Sequence, residues 1–106
     1  MGLIADTPRP PYFAVIFTSL RNAGDLGYEE MSKRMAELVA DTPGFLGLES
    51  AREEVGITVS YWKDLESIKK WKHHSDHLQA QRQGKEKWYS RYKVRISKVD
   101  RDYSFE

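Results

Sequence analysis

This sequence predicts a single α+β domain of the ferredoxin-like order β-α-β-β-α-β: a four-stranded antiparallel sheet with both helices on one face. Three observations predict it. The 106-residue length suits one domain with one core. Two stretches of helical periodicity each follow a run rich in β-branched and aromatic residues. Between the helices lie two short strand-like runs separated by a tight turn, which reads as a hairpin.

Residues 1–11 carry Pro8, Pro10 and Pro11 and read as a flexible, strand-poor N-terminal tail preceding a domain over 12–106. Residues 12–20 are apolar on both alternations, the pattern of a central strand covered on both faces. Asn22, Gly24, Asp25 and Gly27 supply a turn. Over 28–41, Tyr28, Met31, Met35, Leu38 and Val39 fall within an arc of about 100°, with Glu29 and Glu30 suited to the positive end of the helix dipole. Thr42-Pro43-Gly44 stops that helix. Residues 45–53 form a weaker strand, with Gly47 marking a bulge or a close backbone approach. In 57–63 Ile57, Val59 and Tyr61 share one side. Asp64 is the expected N-cap of the second helix, with Leu65, Ile68, Trp71 and Leu78 on its buried side. Gly84 breaks the pattern, Trp88 and Tyr89 belong to a short turn or helix, and 92–99 form the last strand.

Two layers leave the far face of the sheet without a helix, and the first strand offers that face no polar side. A second copy packed sheet against sheet is the simplest cover, so a C2 homodimer is expected. The aromatic C-terminal tail with Tyr103 and Phe105 either reaches the partner or folds over its own sheet.

Composition narrows the function. Seventeen Lys+Arg balance sixteen Asp+Glu, which argues against nucleic acid. No cysteine is present, so thiol catalysis and Cys-ligated clusters are excluded, and a reducing compartment is favoured. No apolar run is long enough to span a membrane, and the N-terminus has neither a basic n-region nor an h-region, so a cytoplasmic protein is expected.

The stretches Phe13-Ala-Val-Ile-Phe-Thr-Ser-Leu, Pro43-Gly-Phe-Leu-Gly-Leu-Glu-Ser and Ser60-Tyr-Trp-Lys-Asp-Leu-Glu-Ser-Ile-Lys-Lys-Trp carry a resemblance. Over about residues 12–103 the chain resembles the antibiotic biosynthesis monooxygenase domain, a branch of the dimeric α+β barrel superfamily. That resemblance implies a pocket between helices and sheet. It also implies a small homodimeric monooxygenase acting on a flat aromatic, quinol- or polyketide-like, without a tightly bound cofactor. The alternative is a dimer that binds a small hydrophobic ligand without turning it over, as a sensor or carrier. A haem-binding or haem-degrading enzyme is a lesser alternative. The haem-degrading pattern has an Asn on the first strand, a Trp on the second helix and a His ten residues on. Trp71 matches, but the tenth residue on is Gln81, and the strand offers only Thr18 and Ser19. The polyketide-oxygenase pattern has an Asn four residues before the Trp, where this chain has Ser67.

His73, His74 and His77 cluster on the second helix. The i, i+4 spacing of His73 and His77 can chelate a transition metal. On an unbroken helix, however, both lie opposite the apolar arc, no third ligand follows, and no metal site is expected. Ser75-Asp76 can cap a fresh helical segment, which would swing His77 towards the pocket as a neutral general base. His77 is therefore the candidate base, with His74 a lesser one. Trp71 is either core or the wall on which a flat substrate stacks. Met31 and Met35 are core or soft pocket liners, and Phe17 and Tyr61 are candidate cavity-wall residues. Arg52 reads as a solvated strand-end charge, or else as a clamp for an anionic substrate.

Overall fold

The structure, a computed structural model, describes residues 3–24, 27–81 and 85–106, with the side chains of 77–81 and 85–86 set aside. Asp25 and Gly84, and the side chains of His77, Leu78 and Gln81, thus lie outside the described residues. The elements run β1 (Tyr12–Arg21), α1 (Tyr28–Ala40), β2 (Phe45–Arg52), β3 (Gly56–Trp62), α2 (Leu65–Gln81), α3 (Lys85–Trp88) and β4 (Tyr89–Val99). The sheet order is β2-β3-β1-β4 and every pairing is antiparallel. This is the ferredoxin-like arrangement expected from the sequence.

Register decides which side chains meet the helices. Phe13 pairs with Trp62 and Lys98, Val15 with Ser60 and Ile96, and Phe17 with Thr58 and Val94. Directly paired residues share a face. Phe13, Val15, Trp62, Phe45 and Leu48 pack with Val39 of α1 and with Ile68 and Trp71 of α2. The odd-numbered positions of β1 therefore face the helices. Tyr12, Ala14, Ile16, Thr18 and Leu20 face the other way, with Val59, Tyr61 and Ile57 beside them.

The local signals explain the helices. Asp64 Oδ1 accepts from the Ser67 amide at 2.8 Å, the cap expected from the sequence. The Ser67 hydroxyl, and after it that bond, hold the Asp64 carboxyl below its ordinary range. Leu65 departs from expectation. It is exposed, because it occupies the first helical position, where no element covers it. The anticipated break at Ser75-Asp76 does not occur, since α2 runs unbroken to Gln81. Ser75 is buried and donates back to the Lys72 carbonyl at 3.1 Å, and Asp76 pairs with Lys72 at 2.6 Å. Both side chains thus support the helix they were expected to restart. β4 begins three residues early, at Tyr89. It follows an irregularity between Leu20 and Arg21 that lets Arg21 pair with Tyr89.

The face away from the helices is closed at one end. The Ala5 amide donates to Glu49 Oε2 at 2.9 Å. Tyr12 is buried; its hydroxyl accepts from Thr7 at 3.0 Å and donates to Asp102. Tyr61 donates to Glu49 Oε1 at 2.6 Å and meets Tyr12 edge-on at 5.8 Å. At the other end Leu20 and Ile57 stay exposed. The C-terminal tail leaves its own sheet after Asp102, with Tyr103 90% and Phe105 98% exposed.

Burial first, and then the bond to Glu49, push the Tyr61 phenol up to about 12 from 10.0. A phenol raised on folding contributes stability that is complete below its unfolded value and fades as pH climbs through the folded one. Urea unfolding across pH 10 to about 12 should therefore show a falling stability. Tyr61→Phe should flatten that slope, and an unchanged slope would assign it to other groups.

Candidate active site

The floor of the helix-facing side is built from β1, β3 and β4. Across β3 it carries only small side chains at Gly56, Thr58 and Ser60 before Trp62 fills the far end. Small residues under a helix layer leave room that large ones would fill. On β1, Phe17 is half-buried between two tyrosines. It stacks on Tyr92 at 5.4 Å and 26°, and meets Tyr89 edge-on at 5.4 Å. Beside it on β4, Val94 is 43% and Ile96 51% exposed although both face the helix layer. The helices thus leave uncovered an apolar strip flanked by aromatic rings.

The Ser19 end of this floor is closed by Tyr28 of α1, which meets Tyr89 at 5.8 Å and Trp88 at 6.3 Å. Asn22 fastens α3 there: its amide donates to the Trp88 carbonyl at 2.8 Å and its side chain to the Lys87 carbonyl at 3.3 Å. Burial, followed by the hydrogen bond shared with Tyr28, drives the Tyr89 phenol well above its ordinary value, with Arg52 and Arg21 opposing. Tyr89 is therefore protonated near neutral pH, a hydrogen-bond donor rather than a base.

The residues singled out from the sequence divide between locations. Trp71 is half-buried, stacked on Trp62 at 6.4 Å and 30°, and belongs to the core contacts. His74, one turn on, lies 5.8 Å from the Trp71 ring and is exposed, as is His73. Met31 is buried and Met35 half-buried on the side of α1 that carries Tyr28 and Val39. Phe17 lies on the floor as described. Tyr61 does not share a wall with it, because Tyr61 projects from the opposite side of the sheet. The fresh helix start that was to reorient His77 is absent, and its side chain lies outside the described residues. Sequence reasoning passed over Arg21, Tyr28 and Tyr89 as components of a site. Their only signal was a cluster of aromatic and basic residues at segment ends. Among the described residues no group of three His, Asp or Glu is placed to hold a metal ion. No helix among them is long and apolar enough to cross a membrane.

This sheet, its one-sided helix layer and the aromatic floor between them define an oxygenase-type α+β fold. The chain belongs to the Monooxygenase af470-like family, whose model matches residues 20–97. It is 49% identical over 108 residues to the uncharacterized protein YqjZ of Bacillus subtilis (strain 168), covering 100% of this chain and 95% of that one. SnoaB, a cofactor-independent oxygenase from Streptomyces nogalater, superposes in a point-mutant form with a TM-score of 0.67. It is 16% identical over 90% of this chain and 98% of its own. MhuD, solved as a point mutant with two manganese protoporphyrin IX bound per active site, superposes at 0.64. It is 22% identical over 88% of this chain and 99% of its own. Other solved proteins that carry the antibiotic biosynthesis monooxygenase name share the fold, in line with the resemblance drawn from the sequence.

Proposed function

We propose that the protein is a homodimeric monooxygenase of a flat, electron-rich aromatic compound and works without a tightly bound cofactor. The observation that carries this reading is the open apolar strip of Val94 and Ile96 beside the stacked Phe17–Tyr92 pair. A planar ring laid there buries apolar surface that water otherwise wets. In this reading a base removes a proton from the substrate, and the resulting carbanion passes an electron to dioxygen in a site shielded from water. His77 is the proposed base; because α2 runs unbroken through this position, its reaching the ring requires α2 to turn when the substrate binds. Trp71 and His74 border the ring from α2, and Met31 and Met35 close over it from α1. A second copy covers Leu20 and Ile57 on the far face, so light scattering should give twice the 12.4-kDa chain mass.

Oxygen uptake with a panel of quinols and anthrone-like phenols tests the chemistry. Uptake is expected from at least one compound, reduced roughly a hundredfold or more in His77→Ala, the scale of a lost general base. Absence of uptake from every compound, or uptake indifferent to the substitution, removes the mechanism. A second reading, a non-catalytic carrier, draws support from the exposure of His73 and His74. It predicts saturable binding of the same compounds with no oxygen consumed.

A further inference from the structure

Two guanidinium groups converge at the Ser19 end of the helix-facing floor, and neither has a carboxylate partner among the described residues. Arg52 and Ser19 lie on opposite sides of Gly56 in one cross-strand row, since Gly56 pairs with both. The Arg52 side chain crosses that glycine and its Nη2 donates to Ser19 Oγ at 2.5 Å. A Cβ at position 56 would stand 2.0 Å from Nη2 and 2.1 Å from Cζ, so only glycine leaves the guanidinium its bed. Ser19 itself is fully buried. Two residues on, and on the same side of β1, Arg21 lies with its Cζ 3.6 Å from the centre of the Tyr28 ring and donates to the Gly24 carbonyl at 3.2 Å. Its Nε is buried with no acceptor. A buried donor of a charged group without an acceptor is rare in a finished structure and points to a missing partner. Arginine's planar fork matches a carboxylate, and the rings of Phe17, Tyr89 and Tyr92 lie directly alongside.

We propose that Arg21 and Arg52 clamp the carboxylate of a flat aromatic acid whose ring lies on the Phe17–Tyr92 floor. The inference rests on the reading that this floor binds a planar aromatic, and it adds the charge of the ligand. Charge on the ligand makes specificity asymmetric. A neutral analogue covers the two guanidiniums without giving either a charge partner, so the site rejects it more strongly than ring stacking alone would.

The test compares 2-naphthoate with its methyl ester by NMR titration of the full-length protein. The acid should move the amide signals of Ser19, Arg21 and Gly56, and bind at least about tenfold more tightly than the ester. Arg21→Gln and Arg52→Gln should each weaken the acid about tenfold and leave the ester within about twofold. Gly56→Ala should reproduce Arg52→Gln, because the methyl group takes the guanidinium's place. Arg52 is exposed, so its replacement leaves the fold intact, which circular dichroism checks. Equal affinity for acid and ester, or a preference that survives both arginine substitutions, overturns the clamp and leaves the aromatic floor standing. Binding of neither probe overturns the clamp and the floor together.

Discussion

Trp62→Ala should cost about 3–5 kcal/mol of folding free energy, the range for deleting a buried aromatic. Trp62 is 1% exposed at the end of β3, where its backbone pairs with both Phe13 and Phe45. Its ring meets Phe45 edge-on at 5.4 Å and stacks on Trp71 at 6.4 Å, and its indole nitrogen donates to Ser60 Oγ at 2.9 Å. It therefore joins β2, β1 and α2 at one point. A domain of this size has roughly 5–15 kcal/mol in all, so the loss is about a fifth of its stability or more. Urea denaturation followed by far-UV circular dichroism gives the number. Trp62→Phe should cost clearly less, since a ring still fills most of the space and only the bond to Ser60 goes. A loss below about 1 kcal/mol for Trp62→Ala would mean that the core lies elsewhere. Because the Trp71 ring rests on Trp62, the substitution should also blunt any oxygen uptake by loosening α2.

The order of elements was legible because its signals are local. A helical arc, an Asp cap and a Pro-Gly stop each act within a few residues, and each is found where the residues put it. The face of each strand was less legible. β1 is apolar on both alternations, so nothing in Phe13 to Leu20 says which side meets the helices. Ile57, Val59 and Tyr61 do share a side, but only the pairing of Ala14 with Tyr61 sets that side away from Phe17. The site failed to show for a related reason. Ser19 and Arg52 are 33 positions apart in sequence and meet only because Gly56 leaves the row between them open. No periodicity encodes a gap. Ser75-Asp76 misled differently: these residue types serve equally as caps and as side chains bonding back within a helix. The lysine four positions before Asp76 is one visible feature favouring the second.

Gly44→Ala should destabilise the protein by about 2–5 kcal/mol, through two costs that a double-mutant series separates. Gly44 has φ +87, a left-handed conformation that costs a side chain about 1–2 kcal/mol. Its carbonyl also accepts from the Lys63 amide at 2.8 Å, which ties the loop after α1 to the end of β3 and fixes the backbone where it is. A Cβ there would lie 2.1 Å from Ser67 Oγ and 2.6 Å from Ser67 Cβ, and such overpacking costs about 1–3 kcal/mol. Ser67 cannot yield freely, because its amide is the one held by Asp64 at the start of α2. Relief by movement would shift the first turn of the helix that carries Trp71 and His74. Ser67→Gly on the Gly44→Ala background removes the clash and leaves the dihedral cost, so it should recover roughly half of the loss. Ser67→Ala keeps the Cβ and should recover little. Full recovery by Ser67→Gly would make the clash the whole effect. No recovery would make the left-handed backbone the reason that glycine stands between Pro43 and Phe45.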